Sequence, residues 1–150
     1  MKDKPKVLFV CLGNICRSPM AHGIAEANYA DRFSIIDSAG TSGYHIGEPP
    51  DRGMQKTARG HGFDISNQQS RQVEDADFYE FDYIFAMDGS NLESLQSKHF
   101  KLGNATALVE RYLDEGDVPD PYYGGQDGFE RCYKIIEDGM TALLERLDKK

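Results

Sequence analysis

Val7-Leu-Phe-Val-Cys-Leu-Gly-Asn-Ile-Cys-Arg-Ser-Pro19 joins three local signals without a gap. Lys6 to Val10 is a short apolar, β-branched run, the pattern of a fully buried strand. Cys11 to Arg17 has the make-up of a tight loop, with Gly13 and Asn14 where the backbone can take φ > 0. Ser18-Pro19 reads as the opening of a helix, with Ser at the N-cap and Pro at the first helical position. A strand, a tight loop and a helix N-terminus together make an anion site. Successive amides turn inward, and the helix adds about half a positive charge at its start. Into that site the stretch puts a thiol, Cys11, at the strand end and a guanidinium, Arg17, at the helix start.

The elements around it alternate. The first helix is predicted from Pro19 to about Asp31, with Met20, Ile24 and Ala25 facing inward. Ser34–Ala39 reads as a second strand, Gly40–Pro50 as a Gly- and Pro-rich loop, and Asp51–Arg59 as a helix ended by Gly60. His61–Gln72 reads as irregular, and Asp82–Met87 as a third buried strand. Ser90-Asn-Leu-Glu93 has capping-box spacing and starts another helix. Ala105–Val109 is a weaker fourth strand, and Leu113–Gly125 a polar loop. In the last helix, Asp127–Leu147, the residues Phe129, Cys132, Tyr133, Ile136, Met140, Leu143, Leu144 and Leu147 step by three or four along one face. The fold class is therefore α/β: a doubly wound, four-stranded parallel sheet with helices on both faces and the phosphate-binding loop after strand one. Ligands of such sheets bind beyond the carboxyl ends of the strands. Cys11 to Ser18, Ser38, Thr41 and Tyr44, Asp88, and the loop with Asp120, Pro121, Tyr122 and Tyr123 all fall at that edge.

Bulk properties narrow the partners. A chain of 150 residues fits one domain, residues 1–150, and no run of apolar residues is long enough to span a bilayer. The charged N-terminus lacks a signal-peptide apolar core, so a cytoplasmic location is expected. A net charge of -8 argues against nucleic acid or an anionic membrane as partner, so an anionic ligand must be recognised locally, against the global field. Three cysteines, an odd number, argue against a disulfide scaffold, and two of them share the loop. Cys132 lies on an apolar helical stripe and reads as core. The histidines His22, His45, His61 and His99 are scattered without metal-ligand spacing, so neither a metal nor a cofactor is expected.

The five residues between Cys11 and Arg17 can curl around a tetrahedral oxyanion. Amides from Leu12 through Gly13, Asn14, Ile15, Cys16 and Arg17 to Ser18 can donate to its oxygens, and the planar Arg17 fork can bind two at once. Such amides and a helix terminus favour a thiolate, which makes Cys11 an in-line nucleophile at the floor of the cup. Ser18 can donate its hydroxyl to that sulfur and ease its later departure. A leaving oxygen needs an acid, and Asp120, before a Pro and at the correct sheet edge, is the candidate. No Gly-Lys-Ser/Thr follows the glycine, which excludes a Walker A reading.

These residues resemble the low-molecular-weight protein tyrosine phosphatases over essentially the whole chain. Val7 to Met20 is similar to the family's N-terminal signature, and Asp37-Ser-Ala-Gly-Thr41, Met87-Asp88 and Asp120-Pro-Tyr-Tyr123 are similar to its later landmarks. The resemblance implies that Cys11 forms a thiophosphate intermediate, that Arg17 binds phosphate and stabilises the transition state, and that Asp120 is general acid, then base. It implies loop support from Asn14, Ser18 and Ser38, and a substrate rim of Tyr44, Tyr122 and Tyr123. It implies a reversible Cys11–Cys16 disulfide that guards the nucleophile. Two positions depart from the family pattern: His22 stands where Glu is frequent, and Gln68 near a frequent His. The expected partner is a phosphotyrosine-containing protein or a small aryl phosphate, and the expected state a monomer or weak self-association through the active-site edge.

Two other readings use the same cup. An arsenate reductase would need a relay of further cysteines, and outside the cup the chain has only Cys132. A non-catalytic phosphate-binding module would be expected to lose Cys11, Arg17 or Asp120, and all are present.

Overall fold

The computed structural model describes residues 4–121 and 125–150, with backbone alone for 125 and 126. In chain order it contains β1 (Lys6–Cys11), α1 (Arg17–Asn28), a 3-10 turn (Ala30–Arg32), β2 (Ile35–Gly40), α2 (Arg52–Gly60), α3 (Asp77–Glu80), β3 (Tyr83–Ala86), α4 (Gly89–Leu102), β4 (Leu108–Arg111) and α5 (Gly125–Asp148). The four strands are parallel in the order β2-β1-β3-β4. The chain therefore winds outward from β1 in one direction and then in the other. That reversal opens a crevice beyond the carboxyl ends of β1 and β3.

Strand alternation sorts the core into two layers. Val7 and Phe9 face α1 and α5, where Met20, Ile24, Cys132, Ile136, Met140 and Leu143 are all fully buried. Leu8 and Val10 face the other way, against Phe78, Phe81, Ile84 and Leu95 of the α3 and α4 side. Phe9 is the hinge of the first layer, with the rings of Phe85 and Tyr112 at 6.1 and 5.8 Å. Sheet class, strand number and helices on both faces agree with the sequence reading, as does the buried stripe of the last helix.

Local differences have physical causes. The first helix starts at Arg17, not Pro19, and Cys16 occupies the N-cap with no side-chain cap bond. Ser18 is thus inside the first turn, because its hydroxyl is committed to the cup. Its C-terminus frays at Asn28 into the 3-10 turn. Helix α4 is capped by Asp88, whose carboxylate accepts from the Asn91 N–H at 2.7 Å, so the Ser90 capping box is not used. The fourth strand lies three residues later than predicted, at Leu108–Arg111. It is an edge strand whose Glu110 and Arg111 pair with Lys150 and Asp117, so apolar content does not mark it. The short α3 has no periodic signal of its own because its four residues are held from outside: Arg71 clamps the Asp77 carboxylate at 2.9 and 3.0 Å.

Candidate active site

The loop after β1 is held from the outside by its carbonyls. Cys11 O accepts from Thr41 N–H at 2.9 Å and Leu12 O from Ser42 N–H at 3.0 Å. Gly13 O accepts from the Ser70 hydroxyl at 2.9 Å, Ile15 O from Asp51 N–H at 2.8 Å, and Cys16 O from Met20 N–H at 3.2 Å. Among the described residues no peptide bond is cis. In a trans peptide the N–H opposes the C=O. The amides of Leu12, Gly13, Asn14, Cys16 and Arg17 therefore point the other way, into the cup. Cys11 lies at its floor, 3 % exposed, with its Sγ 3.0 Å from the Ser18 hydroxyl.

Asn14 makes the bend. Its φ of 58° lies in the left-handed region, which Asn tolerates better than most residues. Gly13 does not share that conformation. Its lack of a side chain serves contact instead, since a Cβ there would lie 3.0 Å from the His45 ring. At Gly40, the end of β2, a Cβ would meet Leu12 O at 2.6 Å, so only glycine lets the loop sit this close to the sheet. The buried Asn14 amide donates to the hydroxyls of Ser18 at 2.8 Å and Ser38 at 3.0 Å, and accepts from Arg71 N–H at 3.0 Å.

Arg17 projects from the first turn of α1 and is nearly buried. Its Nη1 donates to Asp88 at 2.8 Å and to Val118 O at 3.0 Å. Burial works against its charge, yet Cys11, Asp88 and Asp120 together raise its pKa. The Asp88 bond spans the crevice from α1 to the start of α4 and fixes one side of the guanidinium plane.

Asp120 is exposed on the segment after β4, and it borders the same cleft, of about 110 Å³, as Cys11, Arg17, Tyr44 and His45. The segment is anchored just before it. Val118 N–H donates to Met87 O at 2.8 Å, and Asp117 accepts from Arg111 at 2.7 Å and Gly89 N–H at 2.9 Å. Arg111 accordingly holds the Asp117 carboxyl below the usual range, with Gly89 N–H acting the same way. Pro121, just past Asp120, packs so closely on α5 that a Cβ on Gly128 would meet its carbonyl at 2.6 Å. Tyr44 stands 79 % exposed at the rim of the cleft, which the exposed Leu12 also lines. A roomier groove of about 850 Å³, among Lys4, Tyr83, Leu108 and Leu147, lies at the opposite end of the sheet.

The structure thus brings together Cys11 through Ser18, Ser38, Tyr44 and Asp120. Tyr122 and Tyr123 lie outside the described residues. Asp88, Ser70, Arg71 and Val118 were not read as parts of the cup. Asp88 alone left a sequence signal, its place directly after the third strand. Gln68 donates to Pro19 O at 3.1 Å, and His22 to Ser38 spans 3.0 Å, so both departures touch the cup's support. Among the described residues no three His, Cys, Asp or Glu side chains gather as a metal site.

Residues 6–150 match the family model described as low molecular weight phosphotyrosine protein phosphatase. The low molecular weight protein-tyrosine-phosphatase YfkJ of Bacillus subtilis is 43% identical over 155 residues, covering 96% of both chains. The human low molecular weight phosphotyrosine protein phosphatase is 40% identical over 151 residues, covering 93% of this chain and 94% of its own. A crystal structure of a protein tyrosine phosphatase from Entamoeba histolytica, with Hepes in its active site, superposes with a TM-score of 0.84 at 38% identity, covering 97% of each chain.

Proposed function

The chain belongs to the low molecular weight phosphotyrosine protein phosphatase family, a family of phosphoric monoester hydrolases, and from that premise we propose how its own residues divide the hydrolysis of a phosphotyrosine monoester. Cys11 is the nucleophile. Its sulfur attacks phosphorus in line, and the bond from phosphorus to the phenolic oxygen breaks. Asp120 delivers a proton to that oxygen as tyrosine leaves. Water then attacks the cysteinyl phosphate, Asp120 takes its proton, inorganic phosphate departs, and the sulfur is released to its hydrogen bond with Ser18. Throughout, the inward amides and the free edge of the Arg17 guanidinium hold the equatorial oxygens, where charge accumulates.

The observation that carries this reading is the coincidence at one point of a buried thiol, a hydroxyl 3.0 Å from it, a ring of inward amides and a tethered arginine. The Tyr44 side chain, with Tyr122 and Tyr123, forms the proposed aromatic rim for the substrate ring. Cys16, buried beside Cys11 at the same cleft, is the proposed redox partner. Once an oxidant of the peroxide class converts Cys11 to the sulfenic acid, the Cys16 thiol displaces water and closes a disulfide, which thiols reopen. A cytoplasmic location and a monomeric or weakly self-associating state belong to the same proposal. An odd number of thiols fits a reducing compartment.

Kinetics test the assignment. Cys11→Ser should lose turnover of an aryl phosphate while still binding inorganic phosphate; retained turnover refutes the nucleophile. Asp120→Ala should slow poor leaving groups such as tyrosine far more than activated phenols, and an equal loss across leaving groups counts against the acid role. Comparing kcat/KM for phosphotyrosyl, phosphoseryl and alkyl phosphates, with arsenate reduction alongside, measures substrate class directly.

A further inference from the structure

Asn14 settles the proton positions around it. Its amide oxygen accepts from the Arg71 backbone N–H, so its nitrogen is turned toward Ser18 and Ser38 and donates to both. Both hydroxyls are therefore acceptors, and each still has one proton of its own to give. Ser18 has Cys11 Sγ at 3.0 Å to receive it. Ser38 faces His22 Nδ1 at 3.0 Å, and the other ring nitrogen, Nε2, lies 3.2 Å from Glu26 one helical turn on. His22 is largely buried, with its side chain 12% exposed. The bonds run outward from Asn14, and on the branch through Ser38 to Glu26 each donor meets an acceptor only if Nδ1 carries a lone pair.

We propose that His22 is a positioning residue for the phosphate cup. As the neutral Nε2–H tautomer held by Glu26, it accepts a hydrogen bond from the Ser38 hydroxyl and so orients a Ser38 lone pair toward Asn14, the residue that bends the loop. It acts through Ser38 and Asn14 and touches no reacting atom. The inference rests on Cys11 being the nucleophile that this loop serves. Protonating Nδ1 turns the bond around: the imidazolium donates to Ser38, and the hydroxyl proton loses its acceptor. The Ser38 oxygen must then accept from the imidazolium and from Asn14 together, which weakens the Asn14 bond that holds the bend of the loop.

The charged groups facing the imidazole are Glu26 on its own helix, Asp37 on β2 and Arg71 on the segment before α3. Burial keeps the ring below the ordinary histidine pKa, against the pull of Glu26 and Asp37, and Arg71 acts in the same direction as burial. His22 is thus neutral at neutral pH. Its contribution to the cup is present above the ordinary histidine value and is lost as pH falls through its depressed one.

Two measurements test the proposal. NMR of the imidazole nitrogens in the intact protein at neutral pH should show His22 protonated at Nε2 and bare at Nδ1. An Nδ1–H tautomer or an imidazolium there overturns it. This readout does not depend on turnover, so it is separable from a failure of the Cys11 assignment, which Cys11→Ser reports alone. In kinetics, His22→Phe removes the acceptor, and kcat for an aryl phosphate should fall about three- to tenfold, the worth of one hydrogen bond, with a smaller change in KM. His22→Asn, whose Oδ1 can stand where Nδ1 stands, should recover most of that loss and, having no titrating group, should abolish the His22 part of the acid limb. In a Ser38→Ala background, His22→Phe should add nothing further. An unchanged kcat and pH profile in His22→Phe, or a full additional loss in Ser38→Ala, overturns the proposal. Should His22→Phe fail to fold, the tautomer and the His22→Asn pH profile decide it.

Discussion

Asn14 holds a left-handed backbone at a cost of about 1 kcal/mol, offset by three hydrogen bonds from one buried amide. Arg17 poses the opposite problem, a charge taken out of water. Asp88 answers it at 2.8 Å, and the same carboxylate caps α4 through its other oxygen. Asparagine caps a helix about as well as aspartate, so Asp88→Asn removes the counter-charge and little else. Without an anion the variant should melt well below wild type, because a buried guanidinium left without its partner is costly. Inorganic phosphate should then raise its Tm more than it raises that of wild type, since the bound anion supplies the missing negative charge. An equal phosphate-induced rise in both proteins would show that Asp88 does not serve as that counter-charge.

Between elements, the cup depends on how closely β2 approaches the loop after β1. Cys11 pairs with Gly40 in the ladder, and Gly40 passes 2.6 Å from Leu12 O where a Cβ would stand. The obstacle is backbone, with no flexible side chain to swing aside. Gly40→Ala should therefore push the loop off the sheet, costing about 1–3 kcal/mol of stability and weakening phosphate binding together. Calorimetry with and without phosphate checks it, and a variant that loses stability while keeping phosphate affinity would separate the loop from the sheet. Gly128 plays the matching part on α5 against Pro121, which seats the Asp120 segment. These close approaches leave no periodicity in the sequence, whereas the apolar stripe of α5 does.

For the molecule as a whole, pH acts on the core through Cys132. Burial pushes this thiol up to about 12, and nearby Cys11 and Asp120 act the same way against Arg17. Below the ordinary thiol value both folded and unfolded chains keep the proton, so nothing is lost. Between that value and about 12 the unfolded chain ionises and the folded one does not, and stability falls as pH rises. Cys132→Ala should flatten part of that alkaline decline in chemical denaturation, and an identical slope would place the titrating group elsewhere. At neutral pH the same burial keeps Cys132 a thiol, in keeping with a core role.

Strand and helix types, the buried face of the last helix and the strand–loop–helix unit at Cys11 were legible in order, because each follows from local periodicity, Gly and Pro placement and polar residue choice. The reading was weakest where stability is supplied from a distance. The edge strand Leu108–Arg111 carries paired charges, and α3 is held by Arg71. The opening stretch, Val7 to Pro19, by itself determined a thiol and a guanidinium on one anion-binding turn, since chain geometry alone brings the ends of so short a loop together. Tertiary structure alone decided the rest: Asp88 as the tether of Arg17, Gly40 as the floor the loop rests on, and His22 behind Ser38. Those partners come from β2, the N-cap of α4 and a later turn of α1, and contacts between segments apart in sequence have no period that a sequence can display.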